Sequence, residues 1–268
     1  MNKNLFTKEL KRNRKNLMIW TTIVVGFTVM VLSIFPFMSE MGKDMTQLID
    51  NMPVELQKAM GMDAQTWSNI LGFYSTYFGI YIVVLVAIYT TSTGATIISK
   101  EEKDGTSEFL MTKPISRLTI FKTKMMSLLV LTVLIYAIQT LSAIIGISAF
   151  AQSEVIWSKV ATMQISGFFL VLFFTSIGVL LSMYVKPKKN FMGIVVGLTF
   201  GSYFLNAIAK STDATSWLGY FSPFNYVDFT VLASDYEINY LAIIGFVVIA
   251  AALLFIAFKS YVKKDIAG

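Results

Sequence analysis

MMSLLVLTVLIYAIQTLSAIIGIS, residues 125–148, runs for 24 residues without an aspartate, glutamate, lysine or arginine. A helix rises about 1.5 Å per residue, so about 20 such residues cross a hydrocarbon core of roughly 30 Å. Apolar side chains occupy every face of this run. A soluble amphipathic helix would keep one charged face at a 3.6-residue period. Working outward, five further stretches read the same way: 17–38, 70–98, 165–185, 191–209 and 238–258. All 22 Lys+Arg and 16 Asp+Glu lie in the connections or tails. A charge at the centre of a membrane helix costs about 2.5–3.5 kcal/mol on insertion scales, so this segregation is what insertion physics selects. The expected fold is an all-α polytopic membrane protein with six spans in one transmembrane domain, residues 1–268. The weakest span is 191–209, which is short and carries Asn206; a re-entrant segment is its alternative.

Composition agrees. Of 268 residues, 55% are hydrophobic and 14% charged, with mean hydropathy +0.65. Soluble domains carry about 25% charged residues, so a soluble enzyme is excluded. Cys 0 and His 0 exclude disulfide scaffolds, zinc fingers, histidine-ligated haem and histidine-based triads. No P-loop is present: Gly42-Lys43, the one Gly-Lys pair, has no phosphate cradle before it. A proton- or sodium-coupled carrier usually keeps an ionisable residue inside its spans, and these spans have none. Gln139, Asn206 and a hydroxyl-rich second span that includes Tyr77 and Tyr81 are the neutral polar groups left inside. They serve either helix packing or a pathway.

Basic residues set orientation. The tail 1–16, loop 99–124, loop 186–190 and tail 259–268 hold 6, 6, 3 and 3 of them; connections 39–69, 149–164 and 210–237 hold 2, 1 and 1. Both termini are therefore expected in the cytoplasm of a cell membrane. The basic balance reflects topology and anionic lipid, and calls for no nucleic acid. Bulky Ile34-Phe35-Pro36-Phe37 closes the first span, so it is expected to remain as an anchor. The tail 1–16 reads as an amphipathic helix with Phe6, Leu10 and Leu17 on one face, lying in the inner headgroup layer.

The chain has no cofactor ligands and no energy source of its own, so a cytoplasmic docking element is expected. Loop 99–124 is the longest candidate. Asp104-Gly105 makes a turn, Thr106 can cap a short helix with Glu108 in its first turn, and Pro114 ends it. Ser116 can cap the next helix, beginning at Arg117. Phe109, Leu110 and Met111 form an apolar tip. The residues alone leave two readings: insertion into a partner's groove, or a loop resting on the membrane.

Positions 101–117, EEKDGTSEFLMTKPISR, resemble the first cytoplasmic loop of type-2 ABC-transporter permeases: Glu101 and Glu102, Gly105 and Thr106, Leu110, Pro114, Ser116 and Arg117, then Lys124. Ser222-Pro223-Phe224-Asn225-Tyr226 is similar to that family's Ser-Pro-Phe-x-Tyr element. Met52-Pro53-Val54-Glu55-Leu56, followed by Met60-Gly61, is similar to its Leu-Pro-x-x-Leu…Gly helix, with Met in place of Leu. The resemblance implies a non-catalytic ABC exporter subunit. It would work with two copies of a separate ATP-binding subunit, which would hold ATP and magnesium, and with a second permease copy as homodimer or heterodimer. It also implies that residues 106–112 form a coupling helix, 1–16 a connecting helix, and 211–237 short re-entrant helices capping the outer end.

Gly193, Gly197 and Gly201 put small residues on one face of span 5, either for self-association or for packing within the subunit. The stretch with Met38, Met41, Met45, Met52, Met60 and Met62 makes adaptable apolar surface, which suits either an amphipathic helix resting on the outer leaflet or a lid over cargo. Amphipathic or hydrophobic cargo follows as an expectation: peptide, toxin, drug or lipid, including cytolytic peptides of the phenol-soluble modulin kind. Only Arg12, Arg14 and Arg117 among the 22 basic residues are arginine, which suits a bacterial, Gram-positive source. A partner-independent secondary transporter or channel, and a non-transporting scaffold, are the alternative classes.

Overall fold

The computed structural model describes residues 2–40, 51–53, 55–56, 69–103, 115–184, 191–233 and 236–263. The described residues contain no strand. Six helices are long and apolar enough to cross a membrane: span 1 (Lys3–Glu40), span 2 (Ile70–Ile97), span 3 (Arg117–Phe150), span 4 (Trp157–Tyr184), span 5 (Phe191–Ser211) and span 6 (Tyr240–Lys263). Span 5 is a continuous helix of 21 residues, so the re-entrant alternative for it is set aside.

The helices overrun the charge-free windows, and span 1 runs through Pro36 to Glu40. Lysine, arginine and leucine are good helix formers. The basic tail, expected as an amphipathic helix leading into span 1, therefore continues into it as one 38-residue helix. Asn2 starts it, its Oδ1 accepting from Leu5 N at 3.0 Å. Its inward face also differs from expectation. Leu5, Glu9 and Asn13 are buried, while Phe6, Leu10 and Leu17 are only half-buried. Span 3 starts at a cap: Ser116 Oγ accepts from Thr119 N at 3.2 Å.

Span 2 is the hub. Of its apolar window 72% is buried, against 22% for spans 1 and 5 and 11% for span 6. It packs chiefly on span 4, with span 5 and span 3 also against it, while span 1 runs along span 3 and span 6 along span 4. Two glycines permit the closest approach. A Cβ on Gly94 would stand 2.9 Å from Thr175 O, and one on Gly178 would strike the backbone of Thr91. Span 2 contains a π-helical turn, Phe78–Ile82. Its Gly79 lies under the Phe229 ring, which a Cβ would meet at 2.9 Å.

One large aromatic-rich core joins all six spans, including Phe35, Phe73, Tyr74, Phe78, Phe174 and Phe246. A second, smaller core sits where the basic tail, the end of span 2 and the start of span 3 meet; it contains Leu5, Ile97, Ile98, Ile120 and Phe121. This is the basic end of the bundle. At the far end the segment expected to hold short re-entrant helices forms two 3-10 helices, Asp213–Phe221 and Pro223–Tyr226, with the first packed on span 5.

Candidate functional site

The basic end carries an ion cluster enclosed by the smaller core. Lys124, 1% exposed, sits in the first turns of span 3. Its three ammonium protons have three destinations. Nζ donates to Glu9 Oε1 at 2.9 Å, to the Ile97 carbonyl at 2.6 Å, and to both oxygens of Glu101 at 2.7 and 2.8 Å. Ile97 is the last residue of span 2, and its carbonyl carries the negative end of that helix's dipole. Arg12 Nη1 lies 3.5 Å from Glu101 Oε1. The carboxylates of Glu9 and Glu101 thus face the cations of Lys124 and Arg12, and the formal charges balance. Burial, with Glu9 adding to it, pushes the Glu101 carboxyl above the ordinary carboxylate range, and Lys124 offsets part of that. Glu9 is fully buried, and its Oε2 makes no hydrogen bond among the described residues. The backbone N of Asn2 donates to Thr123 Oγ1 at 3.1 Å, a second tie between the tail and span 3.

Of the residues expected to couple to a partner, Gly105, Thr106, Glu108, Phe109, Leu110 and Pro114 lie outside the described residues, as do Met41, Met45, Met60 and Met62. Glu101 and Glu102 fall in the short helix Lys100–Lys103. Arg117 donates from Nη1 to the Val262 carbonyl at 2.7 Å, tying span 3 to the end of span 6.

The four pathway candidates separate. Gln139 is fully buried and packs between helices: its Nε2 donates to Tyr74 Oη at 2.8 Å. Tyr136 donates to the Gln164 carbonyl at 2.6 Å, and Thr140 to Gln164 Oε1 at 3.1 Å. These bonds make a polar tie between spans 2, 3 and 4. Asn206 is also buried, and its Oδ1 makes no hydrogen bond among the described residues. Tyr77 and Tyr81 are different. Their rings stack at 6.1 Å, Tyr81 is 41% exposed, and Phe27 of span 1 lies 5.2 Å from Tyr81. With the half-buried Leu85, Ser92 and Thr96 they form the least covered face of span 2.

A Cβ on Gly193, Gly197 or Gly201 meets nothing within 4 Å. Among the described residues the glycines that meet backbone closely are Gly94 and Gly178, which lack the four-residue repeat that draws attention to span 5. The far-end motif has a mechanical basis. Ser222 caps the helix at Pro223, accepting from Phe224 N at 3.2 Å and donating to the Ser202 carbonyl of span 5 at 2.6 Å. Phe224 is buried between Phe174 and Tyr203, each 5.6 Å away, and Tyr226 donates to the Tyr220 carbonyl at 3.1 Å.

Glu9 was not singled out from the sequence. It is the one acid in the tail 1–16, and its spacing from Leu5 and Asn13 is a helical stripe. A lone acid within a basic tail is the signal that could have found it.

Six apolar helices, with span 2 the most enclosed of them, define a multi-pass membrane protein. The family described as ABC-2 family transporter protein matches residues 3–266, and the chain belongs to that family. Its members are membrane subunits that work with an ATP-binding subunit. Comparison with curated proteins found no match.

Proposed function

We infer that the chain is the permease subunit of an ATP-driven exporter, with both termini in the cytoplasm. Two permease copies face one another, and each engages an ATP-binding subunit through residues 101–117. ATP and magnesium belong to that subunit. The cargo is amphipathic or hydrophobic, a peptide, toxin, drug or lipid, passing along the aromatic and hydroxyl-bearing face of span 2.

The geometry of span 2 carries this reading. The most enclosed helix of the bundle keeps one less covered face, with Tyr77 and Tyr81 towards one end and Ser92 and Thr96 towards the other. Its last carbonyl and the following Glu101 are held at the basic end beside the partner-facing segment. A push on that segment acts directly on the helix presenting the face. Orientation rests on the distribution of lysine and arginine.

The test is a pair of alanines, Phe109→Ala with Leu110→Ala. Truncating buried interface residues of this size costs on the order of 1–2 kcal/mol or more. The double variant should insert normally but lose the co-purifying ATP-binding subunit, or hydrolyse ATP without export. Retention of the subunit with normal export would remove the mechanistic support. Orientation is checked with single cysteines in this cysteine-free chain. An impermeant thiol reagent on intact cells should label Ser216→Cys and spare Ser107→Cys.

A further inference from the structure

The ion cluster at the basic end has no evident purpose as a stabiliser. Replacing a whole buried ion cluster by neutral groups of similar volume is often neutral or favourable, so such a cluster contributes little that apolar packing would not. The surrounding core already supplies apolar packing: Leu5, Ile97, Ile120 and Phe121 all close on it. What the cluster adds is geometry. Lys124 has three protons, and all three are committed, to the tail, to the end of span 2 and to the carboxylate that follows it. None of these elements can shift relative to the others without breaking a short, buried, charge-assisted bond.

Residues 101 and 124 bracket the partner-facing segment, so its entry and exit are pinned to one ammonium group. The third arm reaches Glu9, on the helix that runs without interruption to Glu40. About 18 residues and roughly 27 Å further along that helix is Phe27, in contact with Tyr81 on the least covered face of span 2. Both sides of that face are therefore anchored at Lys124.

We propose that the Glu9–Lys124–Glu101 cluster is the joint through which displacement of the partner-facing segment is delivered to span 1 and span 3 together with span 2. Glu9, Glu101 and Lys124 are positioning residues: they touch neither cargo nor nucleotide. The inference rests on the permease reading above and adds to it the route by which span 1 is moved.

The experiment uses the intact complex with its ATP-binding subunit in lipid nanodiscs. Single cysteines are placed at Ser33, exposed on span 1, and at Thr96, half-buried on span 2. Their N-ethylmaleimide labelling rates are compared between nucleotide-free and ATP–vanadate-trapped states. In the native background both rates should change several-fold on trapping. In the triple variant Glu9→Gln, Glu101→Gln, Lys124→Met, which removes the three most buried charges and leaves Arg12, 20% exposed, at the rim, the response at position 96 should persist and the response at 33 should be lost. A purely structural cluster would leave both responses intact, and that result overturns the proposal. If neither position responds in the native background, the permease reading itself fails, and the inference with it.

A second measurement leaves the cluster unaltered. Spin labels at Lys8→Cys and Lys122→Cys, both exposed beside the cluster, should keep one distance distribution in both states. Separation of the two distributions would also overturn the proposal.

Discussion

Lys124 lies outside every charge-free window and is buried all the same. Removing it alone leaves the Glu9 and Glu101 carboxylates enclosed without the ammonium they share. Breaking a buried pair by deleting one partner costs about 3–5 kcal/mol. Lys124→Met should therefore lower the melting temperature of the detergent-solubilised protein markedly. Adding Glu9→Gln and Glu101→Gln should recover most of the loss, and a triple variant no more stable than the single would contradict this electrostatic account. Glu101 also has a pH signature. Its carboxyl lies above the ordinary 4.5 in the folded chain, so between that value and its raised one the folded state binds more protons than the unfolded. Stability falls as pH rises through that window. Glu101→Gln should flatten the fall; an unchanged pH–stability profile would count against it. The sequence marks Glu101 and Lys124 through the loop pattern, but no periodicity in sequence pairs residues 23 and 115 positions apart. That pairing is a tertiary fact, and Glu9 is visible beforehand only as an acid out of place.

At the scale of elements, the spans were legible and their ends were not. Hydropathy marks the stretch that cannot leave the membrane, whereas a helix stops only at a cap, a proline or a glycine. Span 1 and span 3 therefore run past their windows, and the tail docks on protein through Leu5, Glu9 and Asn13. The glycines teach a similar lesson. A four-residue repeat signals a small-residue face, yet inside the subunit the close backbone approach belongs to Gly94 and Gly178. Forcing bulk into a well-packed contact costs about 1–3 kcal/mol, and more where backbone blocks the way. Gly178→Leu should prevent spans 2 and 4 from closing and reduce folded yield, measured as the monodisperse fraction on size exclusion. Normal yield would mean that this contact is looser than it stands here. The π-helical turn at Phe78–Ile82 is an element that composition does not reveal. It sets Gly79 under Phe229, so the far-end segment rests directly on span 2.

For the molecule as a whole, the uneven burial of the spans points outward. Spans 1 and 5 show the same low burial, 22%. Lipid can cover apolar side chains on such faces, but it gives little reason for small ones. Between membrane helices the attraction comes from close packing, which small residues allow. On span 5 a Cβ at Gly193, Gly197 or Gly201 meets nothing within 4 Å among the described residues, and on span 2 the face bearing Tyr77 and Tyr81 is the least covered one. A second permease copy approaching along span 5 would use the glycines for contact and leave the span 2 face lining a shared space. Gly197→Leu separates this arrangement from simple lipid exposure. A Cβ there meets nothing within 4 Å among the described residues, so subunit stability should stay near that of the native chain, in contrast to Gly178→Leu. Self-association should weaken, read as a shift towards monomer in single-molecule photobleaching in bilayers of defined composition. Unchanged photobleaching steps together with unchanged stability would leave span 5 facing lipid and require the second copy to meet the subunit along another face.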